Sequence, residues 1–133
     1  MKVEALDHVN IITDRMEETA RFYAEMLDLA RRDAPPPLTP ENAVWMFDDA
    51  GRAIIHINSV DCPRTYDRHV EPGALTGALH HVALKLEGYE EVKARLDTAG
   101  ADYQENLVEA INLRQIFTAD PNNVLLELNF FAG

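Results

Sequence analysis

An internal repeat constrains the fold of this chain more than any other feature of its sequence. Three pairs of segments align between the two halves: 6–11 with 79–84 and 17–18 with 90–91 at an offset of 73 residues, and 55–58 with 126–129 at an offset of 71. A small loop deletion accounts for the change of offset. Each copy of about 60 residues buries too little surface to be stable alone, so we expect the copies to pack together and share a core.

Apolar periodicity predicts the elements of each copy. In the first copy we expect a strand at 5–12, a helix with Asp14 as its N-cap, and strands at 43–48 and 53–59. In the second copy we expect a strand, a helix that ends at Gly100, and three further strands: 79–86 before the helix, and 102–107, 112–118 and 123–130 after it. Each copy therefore reads as βαβββ, and the fold class is α+β with two tandem modules.

Length and composition predict one domain and exclude several partners. We predict a single domain over residues 1–133, with modules at 1–60 and 78–133 and a linker at 61–77 that holds two prolines and two glycines. The net charge of −11 argues against nucleic acid and anionic membrane surfaces. No segment approaches the roughly 20 apolar residues of a membrane-spanning helix. The N-terminus lacks a signal-peptide pattern, and the lone cysteine, Cys62, suits a reducing compartment, so we expect a cytoplasmic protein.

Four ionisable side chains are predicted to share one face of the strands: His8, His56, His81 and Glu127. Their apolar neighbours along each strand must face the helices, so these four face the other way. A divalent metal ion would satisfy such a set, which otherwise repels or stays unpaired. We predict His8, His81 and Glu127 as metal ligands that leave positions open for water and substrate. His56 is either a further ligand or a nearby proton carrier, and His56 and Glu127 are the candidate catalytic residues.

The sequence resembles the vicinal oxygen chelate superfamily, which includes glyoxalase I, methylmalonyl-CoA epimerase, fosfomycin resistance enzymes, extradiol dioxygenases and bleomycin resistance proteins. The resemblance spans nearly the whole chain and rests on the paired modules, on segments 6–9 and 79–82, and on segment 117–128 with its Asp-Pro-Asn-Asn turn. It implies an open eight-stranded cup formed by the two modules, with a metal at its centre. It also implies a homodimer, for which open sheet edges give a physical reason.

The resemblance carries over to individual residues. His8, His81 and Glu127 match recurrent ligand positions of the superfamily. His56 departs from the pattern, because glyoxalase-like members place a glutamate there and epimerase-like members a glutamine. In extradiol dioxygenases a comparable region supplies an acid–base histidine. Phe117 stands where such dioxygenases usually have a tyrosine, and no basic cluster for glutathione is evident.

Three functions are consistent with these residues. The favoured one is a metal-dependent lyase or isomerase, in which the ion polarises the oxygens of a small substrate and a base moves a proton. The second is an Fe(II) dioxygenase of the extradiol type. The third is a metal-free protein that sequesters a small molecule, as bleomycin resistance proteins do. The metal would be Fe, Ni, Zn, Co or Mn.

A second tier of residues has weaker predictions. Arg114 and Gln115 are neighbours on one strand, so at most one of them can line a pocket. Arg114 could hold a substrate carboxylate, although a solvated arginine is the simpler interpretation. The remaining predictions concern five side chains: Tyr66 and Tyr103 as pocket candidates, Trp45 and Phe47 as an apolar wall or core pair, and His80 on the opposite face from His81. His69, in the linker, is predicted with His80 not to be a ligand.

Overall fold

The computed structural model describes residues 1–2, 4–63 and 79–132. The chain divides into two units, Met1–Pro72 and Gly73–Gly133, which we call the N-terminal and C-terminal units. Most of the predicted linker at 61–77 lies outside the described residues, as do Tyr66 and His69. The single domain over residues 1–133 therefore stays a prediction.

The N-terminal unit is one four-stranded sheet with a helix packed against it. Its elements are β1 (Val9–Thr13), α1 (Met16–Leu27), β2 (Ala30–Asp33), β3 (Ala43–Phe47) and β4 (Ala53–Ser59). The strand order is β1-β4-β3-β2, with β1 parallel to β4 and the other pairs antiparallel. Buried residues of α1 pack on β3 and β4 because Met16, Ala20 and Tyr23 recur on one helix face.

One sequence prediction for this unit was wrong, and one of its strands was not located. The residue that precedes α1 is Arg15, and no side chain caps the helix, so Asp14 is not the N-cap. Thr13 instead accepts a hydrogen bond from the Arg15 amide through its hydroxyl oxygen, at 2.9 Å. Strand β2 was not located from sequence, because all four of its residues are exposed and show no alternation.

The C-terminal unit repeats this architecture. Its elements are β5 (Val82–Lys85), α2 (Tyr89–Ala99), β6 (Tyr103–Val108), a short 3₁₀ turn (Glu109–Ile111), β7 (Leu113–Ala119) and β8 (Leu125–Phe131). The strand order β5-β8-β7-β6 matches that of the first sheet position by position. Gly100 ends α2 with φ +68°, as predicted, and the predicted turn at 120–123 is present with Asn123 at φ +63°.

The repeat also holds in the hydrogen-bond register. Val9 lies opposite Ile55 in the first parallel pair, and Val82 lies opposite Leu126 in the second. These are the residues that the sequence repeat aligns. The prediction of two tandem βαβββ modules is thus confirmed, and their eight strands form two sheets of four. The single eight-stranded cup stays a prediction.

Burial along the last strand of each unit shows which face carries polar groups. Ile55 and Ile57 are buried on β4, and Leu126 and Leu128 are buried on β8. His56 and Glu127, which alternate with them, are half-buried on the opposite face. Neither helix in the described part of the chain is long and apolar enough to cross a bilayer.

Candidate metal-binding residues

In the C-terminal unit, His81 and Glu127 face each other. The His81 Nε2 and the Glu127 Oε1 are 3.8 Å apart. This gap exceeds an ordinary hydrogen bond. The other ring nitrogen of His81, Nδ1, lies 2.9 Å from the Nδ1 of His80. The Nε2 of His81 therefore faces the Glu127 carboxylate, while its Nδ1 is held by His80.

That contact corrects one sequence prediction. His80 was expected to point away from His81, as neighbours on a strand do. Both histidines precede β5, which begins at Val82, so strand alternation does not govern them. His80 consequently contacts the His81 ring, with ring centroids 5.2 Å apart and planes inclined by 87°.

A hydrogen bond fixes the other oxygen of Glu127. The Asn129 side-chain amide donates to the Glu127 Oε2 at 2.9 Å. The Asn129 Oδ1 accepts in turn from Gln115, at 3.0 Å. Gln115 is only 8% exposed. The carboxylate is thus held on one oxygen, while its second oxygen faces His81.

Gln115 lies on the Glu127 face of the sheet, and Arg114 lies on the opposite face. The Arg114 guanidinium sits 3.5 Å above the Tyr89 ring of α2 and donates to Glu90 of the same helix at 3.2 Å. Of the two neighbours, only Gln115 therefore reaches the Glu127 face. Tyr103 is also on the helix side, since its hydroxyl donates to Asp97 of α2 at 2.5 Å.

In the N-terminal unit, His8 is oriented by Asp7. The His8 Nδ1 lies 2.6 Å from the Asp7 Oδ2. A carboxylate on one imidazole nitrogen fixes the tautomer and makes the other nitrogen the ligand atom. His8 immediately precedes β1, which begins at Val9, just as His81 immediately precedes β5.

His56 lies between two flat rings. Its ring centroid is 3.8 Å from that of His8 and 4.0 Å from that of Trp45, with planes inclined by 12° and 8°. Register explains the second contact, since Trp45 on β3 pairs with His56 on β4. Trp45 is therefore a stacking partner of His56. Phe47, predicted to share a wall with Trp45, instead lies under the Arg32 guanidinium at 4.7 Å.

The stacked environment lowers the pKa of His56 below its ordinary value. Burial is the main cause because it disfavours the imidazolium, and the neighbouring His8 adds a repulsive charge. A backbone hydrogen bond with Ala53 and the charge of Asp7 act in the other direction. His56 is consequently neutral near pH 7 and able to accept a proton.

Stacking also bears on whether His56 can be a ligand together with His8. The lone pair of an imidazole nitrogen lies in the ring plane. Two nearly parallel rings 3.8 Å apart cannot direct both lone pairs at one ion. In this arrangement His8 and His56 cannot both bind the same metal unless one ring turns.

The pair of His81 and Glu127 has the donor chemistry that a divalent ion needs. Imidazole and carboxylate groups suit Zn, Ni, Co, Mn and Fe. Metal–nitrogen and metal–oxygen bonds are about 2.0–2.2 Å for zinc, so ligand atoms 3.8 Å apart can contact one ion. Within the described residues, no group of three or more histidine, cysteine, aspartate or glutamate side chains is arranged to hold a metal. The structure brings together His8 with His56, and His81 with Glu127, each pair inside its own unit.

The sequence reasoning missed one cation on the Glu127 face. Lys85 pairs with Asn129 across β5 and β8, and its ammonium group lies 5.5 Å from the centre of the Phe131 ring. It forms no ion pair with any residue that the structure describes. Its place two residues beyond Ala83, the partner of Glu127, is the signal that could have found it.

Comparison with known proteins identifies the family. The family model described as the Glyoxalase/Bleomycin resistance protein/Dioxygenase superfamily matches residues 5–128. The chain belongs to this superfamily. Its members are generally dependent on divalent metals, include many enzymes, act on small molecules and often form dimers.

Individual superfamily relatives agree with this assignment. A protein of Arabidopsis thaliana named Glyoxylase I 4 is 27% identical over 131 residues, which is 96% of this chain and 71% of the relative. Solved structures with the same fold include a glyoxylase/bleomycin resistance protein/dioxygenase domain from Frankia, with a TM-score of 0.72, 17% identity, and coverage of 98% and 94% of the two chains. The fosfomycin resistance protein FosX from Listeria monocytogenes matches with a TM-score of 0.69, 16% identity, and coverage of 98% and 96%.

Proposed function

We propose that this superfamily member is a divalent-metal-dependent enzyme that acts on a small oxygenated substrate by proton transfer, as a lyase or isomerase. The metal would be held by His8, His81 and Glu127. The observation that carries the proposal is the arrangement of Glu127, with one oxygen bonded by Asn129 and the other 3.8 Å from the His81 Nε2. A carboxylate fixed on one side and facing an imidazole nitrogen on the other is typical of a metal-ligand pair.

Each proposed histidine ligand has a partner on its Nδ1, which leaves its Nε2 available to bind the metal. Asp7 holds the Nδ1 of His8, and His80 holds the Nδ1 of His81. When bound, the ion would act as a Lewis acid toward oxygen atoms of the substrate. The ligands from the two units come either from one chain or from two copies of it, and the protein would be a homodimer in the cytoplasm.

His56 is the proposed proton acceptor. Its pKa is lowered by burial between Trp45 and His8, so the neutral base is the dominant form near pH 7. Glu127 is the second candidate base. One oxygen of Glu127 already accepts from Asn129 and the other is assigned to the metal, which favours His56 for this role.

One observation supports a dioxygenase as the second candidate. Because His56 stacks on His8, it is better placed as an acid–base residue beside a two-histidine, one-carboxylate site than as a fourth ligand. One observation speaks against a dioxygenase. Phe117 lies directly opposite Glu127 in the β7–β8 pair, and it lacks the hydroxyl group of the tyrosine that such dioxygenases usually have there. Sequestration without a metal is the third candidate, and the name of the Arabidopsis relative, Glyoxylase I 4, favours an enzyme over it.

Metal content measured by mass spectrometry tests the proposal. Protein purified without chelator is compared with His8→Ala, His81→Ala and Glu127→Ala, each of which should lose the metal. Glu105→Ala is a matched control because Glu105 lies in the same unit and contacts α2 through Tyr89 and Lys93. Iron would favour the dioxygenase, whereas nickel, zinc, cobalt or manganese would favour the lyase or isomerase. A chain that takes up none of these ions would overturn the metal-dependent function and leave sequestration.

A further inference from the structure

A row of three side-chain amides crosses the C-terminal sheet and ends on Glu127. Asn106 on β6 donates to the Gln115 Oε1 at 2.8 Å, Gln115 on β7 donates to the Asn129 Oδ1 at 3.0 Å, and Asn129 on β8 donates to the Glu127 Oε2 at 2.9 Å. Register places these residues side by side, since Asn106 pairs with Gln115 and Gln115 pairs with Asn129. We call Asn106, Gln115 and Asn129 the amide row.

The carboxylate sets the direction of every bond in the amide row. An ionised carboxylate only accepts hydrogen bonds, so Asn129 must turn its NH₂ group toward Glu127. The Asn129 oxygen then faces Gln115, which must present its own NH₂ group. The Gln115 oxygen is left to accept from Asn106. All three amide dipoles therefore point their positive ends toward Glu127.

Gln115 is the central and most buried member of the amide row. It is 8% exposed, whereas Asn106 lies exposed on the edge strand β6. Burying an amide costs free energy unless its donor and acceptor are both bonded. Both are bonded here, and removing Gln115 would leave the Asn129 oxygen without that donor. Asn129 would then lose the contact that holds its side chain in place, and its hydrogen bond to the Glu127 Oε2 would be less ordered.

We propose that Gln115 is a positioning residue that acts through Asn129 to hold Glu127 in one orientation for a metal ion. This inference rests on the proposed function. Gln115 keeps the Asn129 NH₂ group on the Glu127 Oε2, and the Oε1 then stays turned toward His81. Outer partners of metal ligands typically change metal affinity by about 10–100-fold when they are removed. Gln115 is two hydrogen bonds away from the proposed ligand Glu127, so we expect its removal to weaken metal binding by about 10-fold.

The test measures Zn²⁺ affinity by calorimetry on the full chain. Gln115→Met removes the amide at similar length, and Gln115→Glu replaces the donor by a carboxylate oxygen, which should repel the Asn129 oxygen and compete with Glu127 for the Asn129 NH₂ group. We expect weaker Zn²⁺ binding in both, with the larger loss in Gln115→Glu. Gln104→Met removes an exposed glutamine that lies opposite Phe117, outside the amide row, and should bind Zn²⁺ like the unmodified chain.

A double-substitution cycle separates positioning from general destabilisation. Asn129→Leu removes the direct bond to Glu127, and Gln115→Met should have no further effect on Zn²⁺ affinity in that background. Arg114→Met controls for disturbing β7, since Arg114 faces the helix. Additive losses of affinity from Gln115→Met and Asn129→Leu would overturn the inference.

A measurement on the unmodified chain applies even if the variants fold poorly. In ¹⁵N NMR spectra, Zn²⁺ should shift the side-chain NH₂ signals of Asn129 and Gln115 and leave that of Gln104 in place. If the chain binds Zn²⁺ and loses it in His81→Ala, but these signals and the affinity of Gln115→Met do not change, the positioning role is wrong and the proposed function stands. If the chain binds no Zn²⁺, Ni²⁺, Co²⁺, Mn²⁺ or Fe²⁺, both are wrong.

Discussion

His8 and His56 lie face to face, with ring centroids 3.8 Å apart and planes inclined by 12°. A positive charge on His8 would lie against the His56 ring, and this disfavours protonation of His56. Because the rings are stacked, the protonation of His56 depends on the charge of His8.

In metal-free protein, the pKa of His56 should lie below the ordinary histidine value of about 6.5. The unfolded chain then binds more protons than the folded chain, so the stability that neutral His56 contributes is present above about pH 6.5 and is lost as the pH falls through the lowered pKa. His8→Ala should raise the His56 pKa because it removes the neighbouring charge. Ring-proton NMR across a pH titration measures both values, and a His56 pKa at or above 6.5 would contradict the prediction.

Asp120→Ala should destabilise the C-terminal unit by about 1–3 kcal/mol. The Asp120 carboxylate accepts hydrogen bonds from the amides of Asn122, at 2.8 Å, and Val124, at 2.9 Å. These bonds close the turn that leads into β8 and so into Glu127. Asp120→Asn retains one acceptor oxygen and should therefore lose less unfolding free energy than Asp120→Ala. Chemical denaturation measures the difference, and equal losses in the two variants would argue that the turn bonds are not the cause.

Leu128→Ala should cost about 2–5 kcal/mol, because Leu128 is fully buried on the helix side of β8 and its loss leaves a cavity. Leu107 gives the matched control, since it is 53% exposed on β6. Leu107→Ala should change the unfolding free energy by roughly 0.5 kcal/mol or less. Similar costs for the two leucines would mean that the face assignment of β8 is wrong.

Tyr103 should titrate with a pKa of about 12. Its hydroxyl donates to Asp97, and the nearby carboxylate disfavours the phenolate. The folded-state pKa lies above the unfolded value, so the stability from this contact is present below about pH 10 and is lost as the pH rises through 12. Ultraviolet titration of the phenolates in the unmodified chain and in Asp97→Asn should show one tyrosine that shifts to lower pH in the variant.

Sequence reasoning succeeded where a strand alternates between buried and polar residues. Ile55 and Ile57 fixed the face of His56, and Leu126 and Leu128 fixed that of Glu127. The repeat predicted the two modules, because equivalent strands have equivalent burial. These successes depend on patterns that lie within single elements.

The failures involve contacts between elements or residues outside regular structure. Gln115 is linked to Glu127 through Asn129, and its contact with Asn129 depends on the register of β7 and β8, which the sequence does not specify by itself. The stack of Trp45 on His56 likewise depends on the pairing of β3 with β4. His80 was misplaced because it precedes its strand. Asp14 matched a capping pattern that the local backbone does not use.

Strand β2 forms one edge of the N-terminal sheet, and its four residues are all exposed. Arg31 binds both oxygens of Glu17, and Asp33 adds a further charge beside it. A strand from another molecule that added to this edge would have to remove water from these charges. This edge therefore resists growth into fibrils, and any surface on which two chains associate is expected to lie elsewhere.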